Sequence, residues 1–150
     1  MKLGKDKLNF IYKRADAISI NVEEAQRILG ETSRDIKTLL RGIASIGPKN
    51  VFITDGFAGA YAYEKESDKS LFMPVYPHTP FERTGAGDAF FSTVISALAV
   101  GKTIEEALTW GPINAMSVTQ QVGAQKGLLT LEKLEEFLKK APENYKLSKI

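Results

Sequence analysis

The sequence predicts an α/β layered domain. Two short apolar segments, Ala17–Ile20 and Val51–Thr54, are separated by helical patterns, and the last half of the chain is mostly helical. Between them lies a pair of apolar stretches flanking a polar turn. Helix, strand, helix, strand, hairpin and then helices is the order of an α/β domain. The chain has 150 residues, 43% of them hydrophobic and 25% charged, enough for one domain with a sizeable core.

Residues 8–15 read as the end of a helix, and no strand is visible before residue 17. After the strand Ala17–Ile20, Asn21 opens a helix over 22–29, and Gly30 supplies its C-terminal stop. Ser33 is the expected cap of the next helix, in which Ile36, Leu39, Leu40 and Ile43 fall at helical spacing until Gly47-Pro48. "VFIT", Val51–Thr54, reads as a fully buried strand. "AYAYE" and "LFMPVY" form a hairpin around Glu64–Lys69. The loop Pro77–Pro80 leads to helix 87–100, whose apolar character on nearly every side predicts burial. Thr103 and Glu106 have the spacing of a capping box, and Gly111-Pro112 is expected to kink or restart the helix that follows. Thr130 caps a last amphipathic helix ending near Lys140, and the tail Pro142–Ile150 is expected to be loosely held.

Composition narrows the function. A net charge of +2 argues for neither a nucleic-acid nor an anionic-membrane partner. Without cysteine there is no disulfide framework, thiolate metal site or cysteine nucleophile. The charged N-terminal stretch lacks the apolar run of a signal peptide, and nothing approaches the ~20 apolar residues of a membrane span. A cytoplasmic protein is the expectation.

Three small motifs carry candidate chemistry. In "TGAGDAFF", Thr84, Gly85, Ala86 and Gly87 lead into Asp88 at the start of an apolar helix. Small residues let a ligand approach the backbone, and the first amides of a helix make an anion site suited to phosphate. Asp88 stands where it accepts a proton from an attacking hydroxyl, or where it merely complements the helix dipole. In "INVEEAQ", Asn21 and Glu24 have the spacing of a helix cap with a reciprocal glutamate. They also stand at a strand end, where α/β proteins bind ligands, as an amide and a carboxylate near a phosphate-bound Mg²⁺. Thr54, Gly56 and Gly59 in "ITDGFAGAYAY" form either a tight turn or a nucleotide-facing loop. There is no GxxxxGK[ST] string, and a dinucleotide fingerprint fails because Phe90 occupies the third glycine position.

The order N-x-x-E, then T-x-G-x-x-G about thirty residues on, then T-G-A-G-D about thirty further, resembles the C-terminal half of the ribokinase-like (PfkB) carbohydrate kinases. TGAGDAF matches that family's second signature, and "INAMSVTQQVGAQKGL" resembles its adenine-side helix and following loop. The resemblance runs from about Ala15 to Leu138. It implies a ribokinase-like three-layer α/β/α sandwich, of which residues 1–150 form the C-terminal part, and transfer of the ATP γ-phosphate to a sugar or nucleoside-like hydroxyl. It implies Asp88 as catalytic base, with the amides of Gly85, Ala86 and Gly87 as the anion hole. Asn21 and Glu24 organise Mg²⁺ and the phosphates, mostly through water. Thr54, Gly56, Gly59 and Thr84 serve the nucleotide phosphates, and Asn114 and Gly123 border the adenine pocket. Glu82 departs from the family's usual Asp, at a position that helps bind a monovalent cation, which leaves potassium activation open.

Members of that family run to about twice this length, and their N-terminal half carries the sugar-contacting residues and a β-sheet lid. The resemblance therefore also allows a second reading, a nucleotide-binding fragment without catalysis. It predicts an exposed edge on Ala17–Ile20, a partly uncovered face on helix 87–100, and self-association.

Overall fold

The computed structural model describes residues 5–150, with side chains from residue 8 onward. After α1 (Lys5–Tyr12), β1 (Ala17–Asn21) leads through α2 (Val22–Leu29) and α3 (Ile36–Ser45) to β2 (Asn50–Thr54). A 3₁₀ turn, Gly56–Ala58, precedes the hairpin of β3 (Ala60–Glu64) and β4 (Lys69–Met73). Then come α4 (Ala86–Ala99), α5 (Ile104–Thr119), α6 (Leu131–Lys139) and the short β5 (Ser148–Lys149). The five strands lie in sequence order; β1 and β2 are parallel and every other pair is antiparallel.

Alternation along β2 explains the layers. Val51 and Ile53 face α2 and α3 with Leu39, Leu40 and Ile43, whereas Phe52 faces α4 and α5 with Phe90, Val94 and Ile113. A strand buried on both faces needs an unbroken apolar run, which is what "VFIT" supplies. The result is the expected α/β/α sandwich. β1 is the outer strand and is only half-buried, as the sequence led us to expect.

Helix boundaries follow their caps. Asn21 and Glu24 form a capping box, as do Thr103 and Glu106. Gly30 ends α2 in the left-handed conformation, φ 72°. Thr130 caps α6. Ser33 does not cap α3: Asp35 does, its carboxylate accepting the Thr38 N–H at 2.9 Å, while the Ser33 hydroxyl accepts the Asp35 N–H. The carboxylate also complements the helix dipole, so the nearer and charged residue takes the cap.

Two further expectations are corrected. α5 is not restarted at Gly111-Pro112, but runs as one helix from Ile104 to Thr119 with Pro112 inside it. Gly111 has a packing reason: a Cβ there would lie 2.6 Å from the Phe90 ring and 3.0 Å from Val94, so its bareness seats α5 on α4. Nor is the tail loose. Tyr145 is buried, stacks edge-on against Tyr76 at 5.0 Å and donates its hydroxyl to the Thr109 carbonyl at 2.6 Å. Burial pushes that phenol's pKa far above its usual range. β5 then pairs with β4, closing an edge whose backbone groups would otherwise lack partners.

Candidate active site

β1 and β2 end side by side, Asn21 in register with Thr54. The N-terminus of α4 faces these strand ends, and two adjoining cavities open there. One, about 350 Å³, is lined by Asn21, Glu24, Thr54, Gly87, Asp88 and neighbouring residues of β1 and α4. The other, about 250 Å³, is lined by Thr54, Gly56, Gly59, Ala86 and Gly87, with an apolar wall that includes Phe57, Pro112 and Met116. Thr54 and Gly87 belong to both, so the cavities meet at that pair.

Local sequence explains the phosphate-like cradle. Gly85 is the N-cap of α4 with φ 83° and ψ −3°, and no side chain caps this helix. A Cβ on Gly85 would fall 2.6 Å from both the Cα and the carbonyl oxygen of Ala124, so only glycine fits. Ala86 donates its N–H to the Arg83 carbonyl at a long 3.3 Å, and among the described residues the Gly85, Gly87 and Asp88 amides have no such partner. An uncapped helix start with free amides has the chemistry that suits an anion. Asp88 sits in its first turn, exposed to the cavity.

Glu82 ties the motif loop to the loop after α5. Its carboxylate accepts the Gly123 N–H at 3.1 Å. Hydrogen bonding from Thr84, then from Gly123, holds its pKa below the usual glutamate range. Thr84 and Gly123 both lie outside the lining of either cavity. Asn114 stands behind the wall rather than in it. Its amide donates to Thr93 Oγ1 at 2.7 Å and its carbonyl accepts the Leu129 N–H at 3.0 Å, while the next two residues of α5, Ala115 and Met116, reach the cavity.

Asn21 and Glu24 are engaged with each other at the start of α2. Asn21 Oδ1 accepts the Glu24 N–H at 2.8 Å and Glu24 Oε2 accepts the Asn21 N–H at 3.0 Å. The capping box therefore uses one oxygen of each. No cluster of three or more His, Cys, Asp or Glu suited to a metal occurs among the described residues. The second carboxylate oxygen of Glu24 and the Asp88 carboxylate remain to face one cavity, a donor set that fits a hydrated cation shared with phosphate better than a protein-enclosed one.

Sequence reasoning missed the apolar wall and two neighbours of the motifs. Phe57, an aromatic between Gly56 and Gly59, and Arg83, one residue before Thr84, both line the second cavity. An exposed ring in a glycine turn was the available signal. Pro112, legible only as a helix disturbance, is part of the same wall.

Ribokinase of Bacillus subtilis is 40% identical over 91 residues, covering 61% of this chain and 30% of that protein. A sugar kinase of Buchnera aphidicola is 28% identical over 130 residues, 85% of this chain and 40% of that one. Ribokinase of Arabidopsis thaliana, solved with ribose and ATP, superposes with a TM-score of 0.78 at 26% identity, covering 87% of this chain and 43% of its own. An Escherichia coli protein bearing the name ribokinase II, solved with ATP and Mg²⁺, superposes with a TM-score of 0.80 at 22% identity, over 91% and 43%. The chain thus spans less than half the length of these relatives. No helix among the described residues is long and apolar enough to cross a membrane. The model of the pfkB family carbohydrate kinases matches residues 2–131, and the chain belongs to that family.

Proposed function

We propose that these residues form the nucleotide-binding and base-bearing part of an ATP-dependent kinase that phosphorylates a hydroxyl of a sugar or related small molecule. The observation that carries this is the meeting of the two cavities at Thr54 and Gly87, with Asp88 on one side and the small-residue nucleotide loop on the other. Asp88 takes the proton of the attacking hydroxyl. The amides at the uncapped start of α4 steady the charge on the moving phosphoryl group, with no reorganisation required. Thr54, Gly56 and Gly59 let the phosphates lie close to the backbone. Glu24 and Asn21 would hold Mg²⁺ through water, which would supply charge neutralisation for phosphates lying beside the two carboxylates. Phosphoryl transfer demands positioning and charge neutralisation more than covalent chemistry, so this sparse set suffices. A monovalent cation is left out of the proposal, because Glu82 is committed to Thr84 and Gly123. A cytoplasmic setting belongs to it, in keeping with a cysteine-free chain.

Chemical-shift mapping with ATP or ADP tests the site. The largest shifts are expected at the amides of residues 85–88 and around Thr54. No binding at millimolar nucleotide, or shifts confined elsewhere, overturns the assignment.

The second reading, a nucleotide-binding segment without turnover of its own, is favoured by the chain's share of its relatives' length, 40% and 30% for the two named above. For the 150-residue chain alone we expect sugar phosphorylation well below the ~1 s⁻¹ at the low end for kinases. We also expect self-association. The outer side of β1 has no strand partner among the described residues, Ile18, Ile20 and Phe91 are only half-buried beside it, and a second copy offers the same edge. Sedimentation showing a stable monomer, or a coupled ADP-release assay giving turnover at or above ~1 s⁻¹, counts against this pair of expectations.

A further inference from the structure

The two cavities differ in charge in a way that the family motifs do not account for. Among the described residues, the one holding Asp88 is lined by two carboxylates, Glu24 and Asp88, and no cationic side chain. The other is lined by one permanently charged side chain, Arg83. His78 also lines it, but both ring nitrogens are engaged, Nδ1 with the Tyr76 carbonyl at 2.6 Å and Nε2 with Thr119 Oγ1 at 3.0 Å. A nucleotide whose phosphates lie across Thr54 and Gly87 therefore meets negative charge on one flank and a guanidinium on the other. A hydrated Mg²⁺ held at Glu24 would offset the first. Nothing in the motifs supplies the second.

Arg83 is held for such a task. Its guanidinium carbon lies 4.5 Å from the centroid of the Phe57 ring, and it has no ion pair among the described residues. The neighbouring carboxylate, Glu82, is occupied by Gly123. Its own backbone is pinned, since its carbonyl accepts the Ala86 N–H at the start of α4. A guanidinium covering a ring uses its face for the attraction, and its N–H donors lie at its rim, free for a bidentate anion. The ring itself is 56% exposed on the 3₁₀ turn, which gives no packing reason for a phenylalanine there.

We propose that Arg83, resting on Phe57, binds the nucleotide's phosphates from the side opposite Glu24 and Asp88, and thereby selects polyphosphorylated over unphosphorylated nucleosides. This rests on the nucleotide-site reading above. ATP, ADP and adenosine titrated into the 150-residue chain by calorimetry separate the two ideas. Arg83→Gln removes a charge-assisted contact and is expected to weaken ATP and ADP by about tenfold or more, while leaving adenosine within twofold. Arg83→Lys should recover part of the loss, and Phe57→Leu should weaken ATP by a smaller factor through loss of the guanidinium's rest. Unchanged adenosine binding doubles as the check that each variant is folded. If the parent binds ATP and Arg83→Gln binds it within twofold, the role of Arg83 is overturned and the nucleotide site stands. If the parent binds ATP no better than adenosine, phosphate selection is overturned. If it binds neither, the nucleotide reading itself fails and takes this proposal with it.

Discussion

Asp88→Asn, made in a full-length protein carrying this segment, is expected to lower turnover by about 10²–10⁴-fold, the usual consequence of losing a positioned general base. The substitution keeps the shape of the side chain and removes the proton acceptor. The competing role, a carboxylate that only complements the α4 dipole, predicts something different: a stability loss of about 0.3–1 kcal/mol and little change in turnover. Steady-state kinetics together with thermal unfolding separate the two roles. Turnover within a few-fold of the parent removes Asp88 from the chemistry.

Gly85→Ala should damage both fold and site. The residue has φ 83°, and its added Cβ would sit 2.6 Å from backbone atoms of Ala124, which cannot rotate away. Holding a non-glycine residue in that conformation costs about 1–3 kcal/mol before the clash is counted. For a chain of this size each kcal/mol lowers Tm by about 2–4 °C. Nucleotide binding should fall further still, since the loop can relieve the contact only by moving the amides. Gly87→Ala is the contrast: no atom lies within 4 Å of its added Cβ, yet the residue lines both cavities. It should leave Tm unchanged while weakening nucleotide binding. Equal behaviour of the two variants, by unfolding and by titration, would show that the Ala124 contact does not shape this loop.

Much of the architecture was legible because local chemistry and tertiary packing agree. "VFIT" is apolar without a break since both faces of β2 are covered, and the two capping boxes mark helix starts that nothing overrides. Ser33 lost its cap to a neighbour, Asp35, whereas at two other misjudged positions a distant residue decides. Tyr145 looked like part of a polar tail until Tyr76 and Thr109 were found beside it. The restart expected at Gly111-Pro112 is absent, and the Phe90 ring explains the missing Cβ at Gly111. Similarly, the site's polar motifs could be picked out by residue type and order, but its apolar wall could not. Met116 and Pro112 are ordinary interior residues until the fold turns them toward one cavity. Asn114 shows the converse, a polar residue in a promising place whose hydrogen bonds go to Thr93 and Leu129.

The family match stops at residue 131, yet the sheet takes its last strand from Ser148–Lys149. Tyr145 packs on Tyr76, which in turn meets Phe137 at 5.8 Å and accepts the adjoining loop's His78 through its carbonyl. His78 lines the nucleotide-side cavity. The last twenty residues, without touching that cavity, brace the loop that forms one of its walls. A substitution in this tail, at Tyr145 for example, therefore has a route to nucleotide affinity that leaves every motif residue unchanged.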